Sequence, residues 1–171
     1  PPVLPDVLMT VPAQLSLKQF LLESSPILDV RSPLEYEQGH IPGSYSFPLF
    51  SDEERARVGT IYKKRSKEEA IELGLLLAQP KIDHWLNQAN HLLSGRKARV
   101  LCWRGGMRSG FLARLLAQCG YQTATLQGGY KTFRRHVLQT LNHLSSPPLC
   151  VLGGLTGSGK TETLQALRDI G

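Results

Sequence analysis

The chain has 171 residues, of which 41% are hydrophobic, and its 20 Lys/Arg against 14 Asp/Glu give a formal net charge of +6. This length suits one well-buried domain, or one domain plus part of another. No apolar run approaches the roughly 20 residues of a membrane span, and no signal-peptide pattern precedes the first polar segments. The three cysteines have no paired spacing, which favours a reducing cytosol over a disulfide framework. We therefore expect a cytoplasmic protein without membrane association.

The positive charge is unevenly distributed. Residues 1–50 carry 2 Lys/Arg and 5 Asp/Glu, a net charge of −3, so the remainder carries +9. The basic residues cluster at 63–65, 96–99, 104–108 and 131–135. A polyanion such as RNA is one partner that this pattern favours, and a set of solvated faces explains it equally well.

The predicted elements alternate between strands and helices. Residues 1–15 form a proline-rich, irregular lead-in. Strands are predicted at 27–30, 44–49, 98–101, 121–126 and 149–152, and helices at 15–23, 52–77, 81–93, from the Cys102 loop to 118, at 130–141 and at 162–168. Residues 143–148 look like a linker. The alternation predicts an α/β fold with a parallel sheet flanked by helices, divided into a domain at 1–144 and an incomplete second unit at 145–171.

Cys102 follows an apolar strand and precedes a glycine-containing loop and a helix. Backbone N–H groups of such a loop converge into an anion-binding nest, and the helix dipole adds positive potential. These features favour a thiolate at Cys102, so we predict catalytic roles for Cys102 and Arg108. The predicted substrate-binding loop comprises Trp103, Arg104, Gly105, Gly106, Met107 and Ser109. Cys119 and Cys150 are interpreted as core residues.

A second motif lies near the C-terminus. Residues 154–161 match the G-x-x-x-x-G-K-[ST] phosphate loop, with an apolar run before it and a helix-prone run after it. The predicted phosphate-binding residues are Gly154, Gly157, Gly159, Lys160 and Thr161. A nucleotide or a diphosphate would occupy this loop. We expect the remainder of its α/β domain to lie outside this chain, and because residue 1 is proline we expect a processed or excised chain.

Three motifs in order resemble the rhodanese family. Asp29-Val30-Arg31-Ser32-Pro33-x-Glu35-Tyr36 with Gly39-His40-Ile41-Pro42-Gly43 resembles its N-terminal signature, and Leu126-Gln127-Gly128-Gly129-Tyr130 resembles its C-terminal glycine turn. The resemblance covers about residues 15–142 and places Cys102 where these domains carry sulfur. We interpret Asp29, Arg31, Glu35, His40 and Gly43 as scaffold residues, which supply a charged pair, a capped turn and a glycine at positive φ. We predict no metal site, since no second His or Cys lies at ligand spacing from His40.

The full set of motifs resembles the family of bacterial tRNA 2-selenouridine synthases. The additional motifs are the Cys102 loop, a Val58-Gly59-Thr60-x-Tyr62 segment and the phosphate loop. The resemblance implies a transferase that replaces the sulfur of wobble 2-thiouridine in tRNA by selenium from selenophosphate, through an S-geranylated intermediate made from geranyl diphosphate. It implies that Cys102 carries selenium, that the rhodanese site needs no metal, and that tRNA and a selenophosphate-supplying enzyme are partners.

The spacing between Cys102 and Arg108 leaves two other functions open. Five residues separate them, one more than in many rhodaneses, and this Cys-x5-Arg spacing is typical of related phosphatases and arsenate reductases. A catalytically silent rhodanese module that binds RNA or a protein is the third alternative. Arg108 either clamps an oxyanion or pairs with a scaffold carboxylate, and Trp103 either stacks on substrate or anchors the core. Basic residues at 63–67 and 131–135 are either tRNA contacts or solvated.

Overall fold

The computed structural model describes residues 11–143 and 150–170. The chain divides into two compact units, Pro1–Val137 and Leu138–Gly171. The predicted linker falls almost wholly in 144–149, outside the described residues, so the predicted domain boundary at residue 144 remains a prediction. Within the described parts, no helix is long and apolar enough to cross a membrane.

Five parallel strands form the sheet. They are β1 (Ala13–Leu15), β2 (Ile27–Asp29), β3 (Tyr45–Ser46), β4 (Lys97–Leu101) and β5 (Gln122–Leu126). Their order across the sheet is β1-β5-β4-β2-β3, and every neighbouring pair is parallel. The predicted α/β fold with a parallel sheet flanked by helices is confirmed.

Eight helices accompany the sheet in the described residues. They are α1 (Leu17–Leu22), α2 (Pro33–Glu37), α3 (Asp52–Lys64), α4 (Lys67–Ala78), α5 (Ile82–Leu92), α6 (Met107–Gln118), α7 (Gly129–His143) and α8 (Lys160–Ile170). A short 3₁₀ turn at Gln79–Lys81 links α4 to α5. Helix α6 ends as predicted, with Gly120 in the left-handed conformation at φ +82°.

Four predicted elements differ from the structure. The helix expected at 52–77 is two helices, because the Ser66 hydroxyl accepts the Glu69 N–H and starts α4 afresh. The lead-in is wrong at 13–15, which pairs with β5 as an edge strand. The strand expected at 44–49 is limited to Tyr45–Ser46. No strand occurs at 150–152, where no described segment pairs with the backbone; residue 149 lies outside the described part.

Alternating residues of the strands build two cores. Leu28, Val100 and Cys102 pack with residues of α5 and α6, such as Trp85 and Leu112. On the other face, Ile27 and Leu101 pack with Phe20 of α1 and Tyr130 of α7. This alternation follows from the two-residue period of a strand, and both faces are buried as parallel sheets require.

The connection from β3 to β4 reverses the direction in which strands are added. The chain moves outward from β2 to β3, returns to β4 beside β2, and then continues to β5 on the opposite side. In open parallel sheets, ligands bind at the carboxyl ends of the strands flanking such a reversal. The ends of β2 and β4 lie side by side here, with Asp29 opposite Leu101, so Cys102 emerges at this switch point.

A buried ion pair closes the end of β2. The Arg31 Nε and Nη2 atoms donate to the Asp29 carboxylate at 2.9 Å and 2.6 Å, and both side chains are 0% exposed. Arg31 Nη2 also donates to the Gly39 carbonyl at 2.8 Å. The charged pair that the signature predicts is therefore present, and it joins the strand end to the turn that follows α2.

We expect Asp29→Asn to destabilise the fold by about 3–5 kcal/mol, because it leaves the Arg31 charge buried without its partner. Urea unfolding followed by circular dichroism measures this change. The control is Glu69→Gln, which breaks the exposed i,i+4 pair Arg65–Glu69 and should cost under about 1 kcal/mol. Equal costs for the two substitutions would contradict the structural role given to the buried pair.

Candidate functional site

Cys102 lies at the base of a tight loop between β4 and α6. The residue is only 3% exposed. Its Sγ atom accepts the Gly106 N–H at 3.4 Å and lies 3.2 Å from the Ser109 hydroxyl, which in turn is 3.1 Å from the Gly106 carbonyl. Ser109 is completely buried in the first turn of α6. The sulfur thus accepts one hydrogen bond from the backbone of its own loop and contacts a hydroxyl of the helix that the loop opens, while that hydroxyl donates to the Gly106 carbonyl.

The turn before α7 supports the loop directly. The Tyr130 N–H donates to the Cys102 carbonyl at 2.9 Å, and the Lys131 N–H donates to the Trp103 carbonyl at 3.0 Å. Gly129 has φ +62°, and a Cβ atom there would lie 2.3 Å from the Cys102 carbonyl oxygen and 2.4 Å from the Gly105 nitrogen. Only glycine allows two backbone segments to approach so closely. The glycine turn therefore fixes the position of the cysteine loop.

Trp103 and Tyr130 join the loop to the buried ion pair. The Arg31 guanidinium carbon lies 3.8 Å from the centroid of the Tyr130 ring and 5.9 Å from that of Trp103. The two rings are 5.7 Å apart, and half-buried Trp103 packs on the core that contains Leu126. These contacts favour the interpretation of Trp103 as a core anchor.

Arg108 pairs with a carboxylate of the scaffold. Its Nη1 atom donates to Glu35 Oε2 at 2.7 Å, and Glu35 Oε1 lies 3.5 Å from Arg55 Nε. Glu35 also accepts the Ser32 N–H at 3.1 Å. Burial raises the pKa of Glu35, but the hydrogen bond and charge of Arg108, with Ser32 and Arg55, hold it below its usual value of 4.5. The salt-bridge alternative for Arg108 is thus the arrangement observed, while its role as an oxyanion clamp remains a prediction.

The remaining loop residues face outward. Arg104, Gly106 and Met107 are exposed, Met107 by 51%, whereas Gly105 is half-buried. Gly105 has φ +66° and lies against the Gly128-Gly129 turn. The structure therefore brings together every residue of the predicted substrate-binding loop.

The interpretation of the other two cysteines is wrong. Cys119 and Cys150 are exposed, and only Cys102 of the three free cysteines is buried. Cys119 caps the C-terminal end of α6 just before the left-handed Gly120. Cys150 precedes a segment without strand partners. Whether a cysteine at either position is buried depends on tertiary contacts, and the local sequence pattern does not specify those contacts.

The phosphate loop begins α8. Gly157 and Gly159 have positive φ, +82° and +75°, and the loop residues up to Ser158 are exposed. The Lys160 ammonium donates to the carbonyl oxygens of Gly154 at 2.9 Å and Leu155 at 2.5 Å. Thr161 is exposed in the first turn of the helix. Gly154, Gly157, Gly159, Lys160 and Thr161 thus lie in one loop and helix start, whose ligand remains a prediction.

Sequence reasoning missed two contributors to the site. Arg55 lies in α3, 20 residues along the chain from the Glu35 that it contacts, and no local motif marks it. Tyr130 belongs to the glycine turn, but its stacking on Arg31 depends on contacts between distant segments. The Gly128-Gly129 pair was the available signal, since two consecutive glycines often mark a close backbone approach.

The parallel sheet and the position of the cysteine loop define an α/β domain of the rhodanese type. Residues 14–136 match the family model described as a rhodanese-like domain. Because the match covers more than half of the sequence, the chain belongs to the rhodanese family.

Curated relatives share one name. The chain is 37% identical over 165 residues to the tRNA 2-selenouridine synthase of Proteus mirabilis (strain HI4320), covering 94% of this chain and 44% of that protein. It is 37% identical over 160 residues to the enzyme of the same name from Shewanella pealeana, covering 90% and 43%. The chain therefore spans less than half the length of these relatives.

One solved structure supports the fold. The N-terminal domain of a candidate ATP/GTP binding protein from Clostridium difficile 630 is 38% identical, with a TM-score of 0.69. The similarity covers 74% of this chain and 99% of that one. The architecture described above is thus shared with a crystallised relative.

We expect Gly129→Ala to cost about 3 kcal/mol or more, because the new methyl group meets backbone atoms of the Cys102 loop that cannot move independently. The matched control is Gly43→Ala. Gly43 has a similar φ of +77°, but a Cβ atom added there would have no atom within 4 Å, so only the backbone cost of about 1–2 kcal/mol applies. Chemical denaturation of both variants gives the comparison, and equal losses would refute the proposed support of the loop by the turn.

Glu35→Gln should destabilise the chain by about 1–3 kcal/mol at neutral pH, because two arginines lose their shared charged acceptor. The folded pKa of Glu35 lies below its usual 4.5. Its stabilising contribution is therefore present above that value and is lost as pH falls through the folded pKa. Urea titrations should show the difference in unfolding free energy between wild type and variant narrowing as the pH falls below 4.5. A difference that is constant with pH would contradict the ionised bridge.

Proposed function

We propose that this chain is the selenium-carrying part of a tRNA-modifying transferase, in which Cys102 holds the selenium that replaces the sulfur of a wobble 2-thiouridine. The observation that carries the proposal is the position of the Cys102 Sγ atom, at the switch point of the sheet and within reach of the Gly106 N–H and the Ser109 hydroxyl. The name that the curated relatives share supports tRNA modification as the type of reaction.

The loop offers what a carrier cysteine needs. A selenium atom bound to Sγ bears negative charge, and backbone N–H groups at a helix N-terminus stabilise an anion there. Gly106 and Met107 are exposed beside Cys102, so an adduct can project from the loop toward a substrate. The buried scaffold beneath the loop supports this geometry through the Tyr130 and Lys131 N–H groups, which donate to the carbonyls of Cys102 and Trp103.

The proposed tRNA step replaces a carbon–sulfur bond by a carbon–selenium bond. In the S-geranyl intermediate the sulfur is alkylated, so it leaves as geranylthiol when selenium attacks carbon 2 of the uridine. Selenium in selenophosphate is at the selenide level. The Cys102 thiolate therefore gains its S–Se bond as a disulfide accepts two electrons and becomes two thiols, while water takes the phosphoryl group as phosphate. After selenium has bonded to carbon 2, one of these thiols attacks Cys102 Sγ and breaks the S–Se bond, which frees the 2-selenouridine, and the second thiol reduces the mixed disulfide left at Cys102. We propose that the phosphate loop holds the diphosphate of geranyl diphosphate, with Lys160 as the charged contact.

The phosphatase and arsenate reductase alternatives, which the Cys-x5-Arg spacing left open, predict a different covalent bond to Cys102. In a phosphatase, the thiolate attacks phosphorus and forms an S–P bond, and a general acid then serves the leaving group. In the described residues, the hydrogen-bond partners of Sγ are Gly106 and Ser109, and neither is a carboxylic acid. The pairing of Arg108 with Glu35 also occupies the arginine that would clamp an oxyanion.

Mass spectrometry of the treated protein separates these functions. After incubation with selenophosphate and oxidised glutathione, we expect a selenium adduct on the peptide that contains Cys102 and none in Cys102→Ser. A selenium atom and a phosphoryl group add nearly the same mass to the peptide. The broad isotope pattern of selenium distinguishes the two adducts. A phosphoryl adduct would favour the phosphatase alternative.

The exposed cysteines provide the internal control. Cys119 and Cys150 are accessible to any reagent, so an adduct formed by exposure alone would appear on them first. A Cys102 thiol that stays unmodified while Cys119 reacts would overturn the proposal.

A further inference from the structure

Helix α7 begins in direct contact with the cysteine loop. Its first residues donate backbone hydrogen bonds to the carbonyls of Cys102 and Trp103. The side chain of Lys131 is exposed at this junction, and Arg104 is exposed on the loop itself. Any surface that continues along α7 from Lys131 is therefore adjacent to the entrance of the site.

The exposed residues of α7 near the loop form a basic stripe. Lys131, Arg134 and Arg135 are spaced i, i+3 and i+4, which places them on one face of the helix, and all three are exposed. The sequence of α7 contains no Asp or Glu. In the part of the chain that the structure describes, no carboxylate lies within ion-pair distance of these three cations.

The other basic clusters of the sequence are partly neutralised or buried. Arg65 pairs with Glu69, and Glu68 and Glu69 lie in the first turn of α4, four and five residues after Lys64 in the sequence. Arg99 is 7% exposed and donates to the Ser25 carbonyl, so it is not part of a surface. The α7 stripe thus combines uncompensated charge with contact to the cysteine loop.

We infer that Lys131, Arg134 and Arg135, continued by Arg104, bind the sugar–phosphate backbone of RNA and thereby present a nucleobase to Cys102. The inference rests on the proposed function and deepens it by naming the surface that holds the substrate. Consecutive helical residues rise about 1.5 Å, so the three cations extend about 6 Å from the loop. Cations that line a path to a reactive group orient a nucleic acid without reading its sequence.

Fluorescence anisotropy with a labelled tRNA anticodon stem–loop containing 2-thiouridine tests this surface. We expect the pair Arg134→Glu and Arg135→Glu to weaken binding at least about tenfold and to reduce the slope of log K against log salt by about 1.5–2. The control pair, Lys63→Glu and Lys64→Glu, makes the same change in net charge at exposed positions of α3 and should stay within about twofold of wild type.

Each contrary result has a defined meaning. Equal weakening by both pairs would show a response to net charge alone and overturn the inference. RNA binding that is unchanged in the α7 double variant would also overturn the inference, and so would the absence of RNA binding by the wild-type chain. Either result would point to an acidic protein as the partner of the basic stripe. The neutral pair Arg134→Gln and Arg135→Gln, checked by thermal unfolding, separates lost contacts from misfolding. The selenium adduct on wild-type Cys102 is measured separately, so its absence would remove the proposed function without altering the binding comparison.

Discussion

The buried ion pair between Asp29 and Arg31 is the interaction on which the site depends. The Arg31 guanidinium binds the strand end through Asp29 and the following turn through the Gly39 carbonyl, and it stacks on Tyr130. Tyr130 in turn donates its N–H to the carbonyl of Cys102. One buried cation therefore connects the end of β2, the start of α7 and the cysteine loop. A buried charge of this kind is costly unless its partners are in place, so the same pair that closes the fold also enforces the geometry of the loop.

The parallel sheet determines where the candidate site lies. Because β2 and β4 are neighbours at the reversal of strand order, their carboxyl ends deliver Asp29 and Cys102 to the same edge. Glu35 of α2 then links Arg108 of α6 to Arg55 of α3. The helix that follows the cysteine loop is therefore attached to both α2 and α3. The Cys102 sulfur is thus held between elements that are joined to the scaffold on both sides, while Arg104 and the α7 stripe remain exposed.

The sequence predicted the features that depend on local patterns. The apolar run before Cys102 predicted β4, and the predicted end of the following helix at residue 118 agrees with α6. The features it missed depend on contacts between distant segments. β1 is only three residues long, and it is a strand because its backbone pairs with β5. The pairing of Arg108 with Glu35 joins residues that are 73 positions apart in the sequence. The break between α3 and α4 was a different kind of miss, because Ser66 and Glu69 carried a capping signal.

Anomalous diffraction is the most direct test of the carrier role of Cys102. Crystals of the chain treated with selenophosphate and a disulfide, and measured at the selenium edge, should show a selenium peak bonded to Cys102 Sγ. The peak should lie beside the Gly106 N–H and the Ser109 hydroxyl, the two groups that contact the sulfur. A peak confined to the exposed Cys119 or Cys150, or an unmodified Cys102 in crystals that contain selenium elsewhere, would contradict the account.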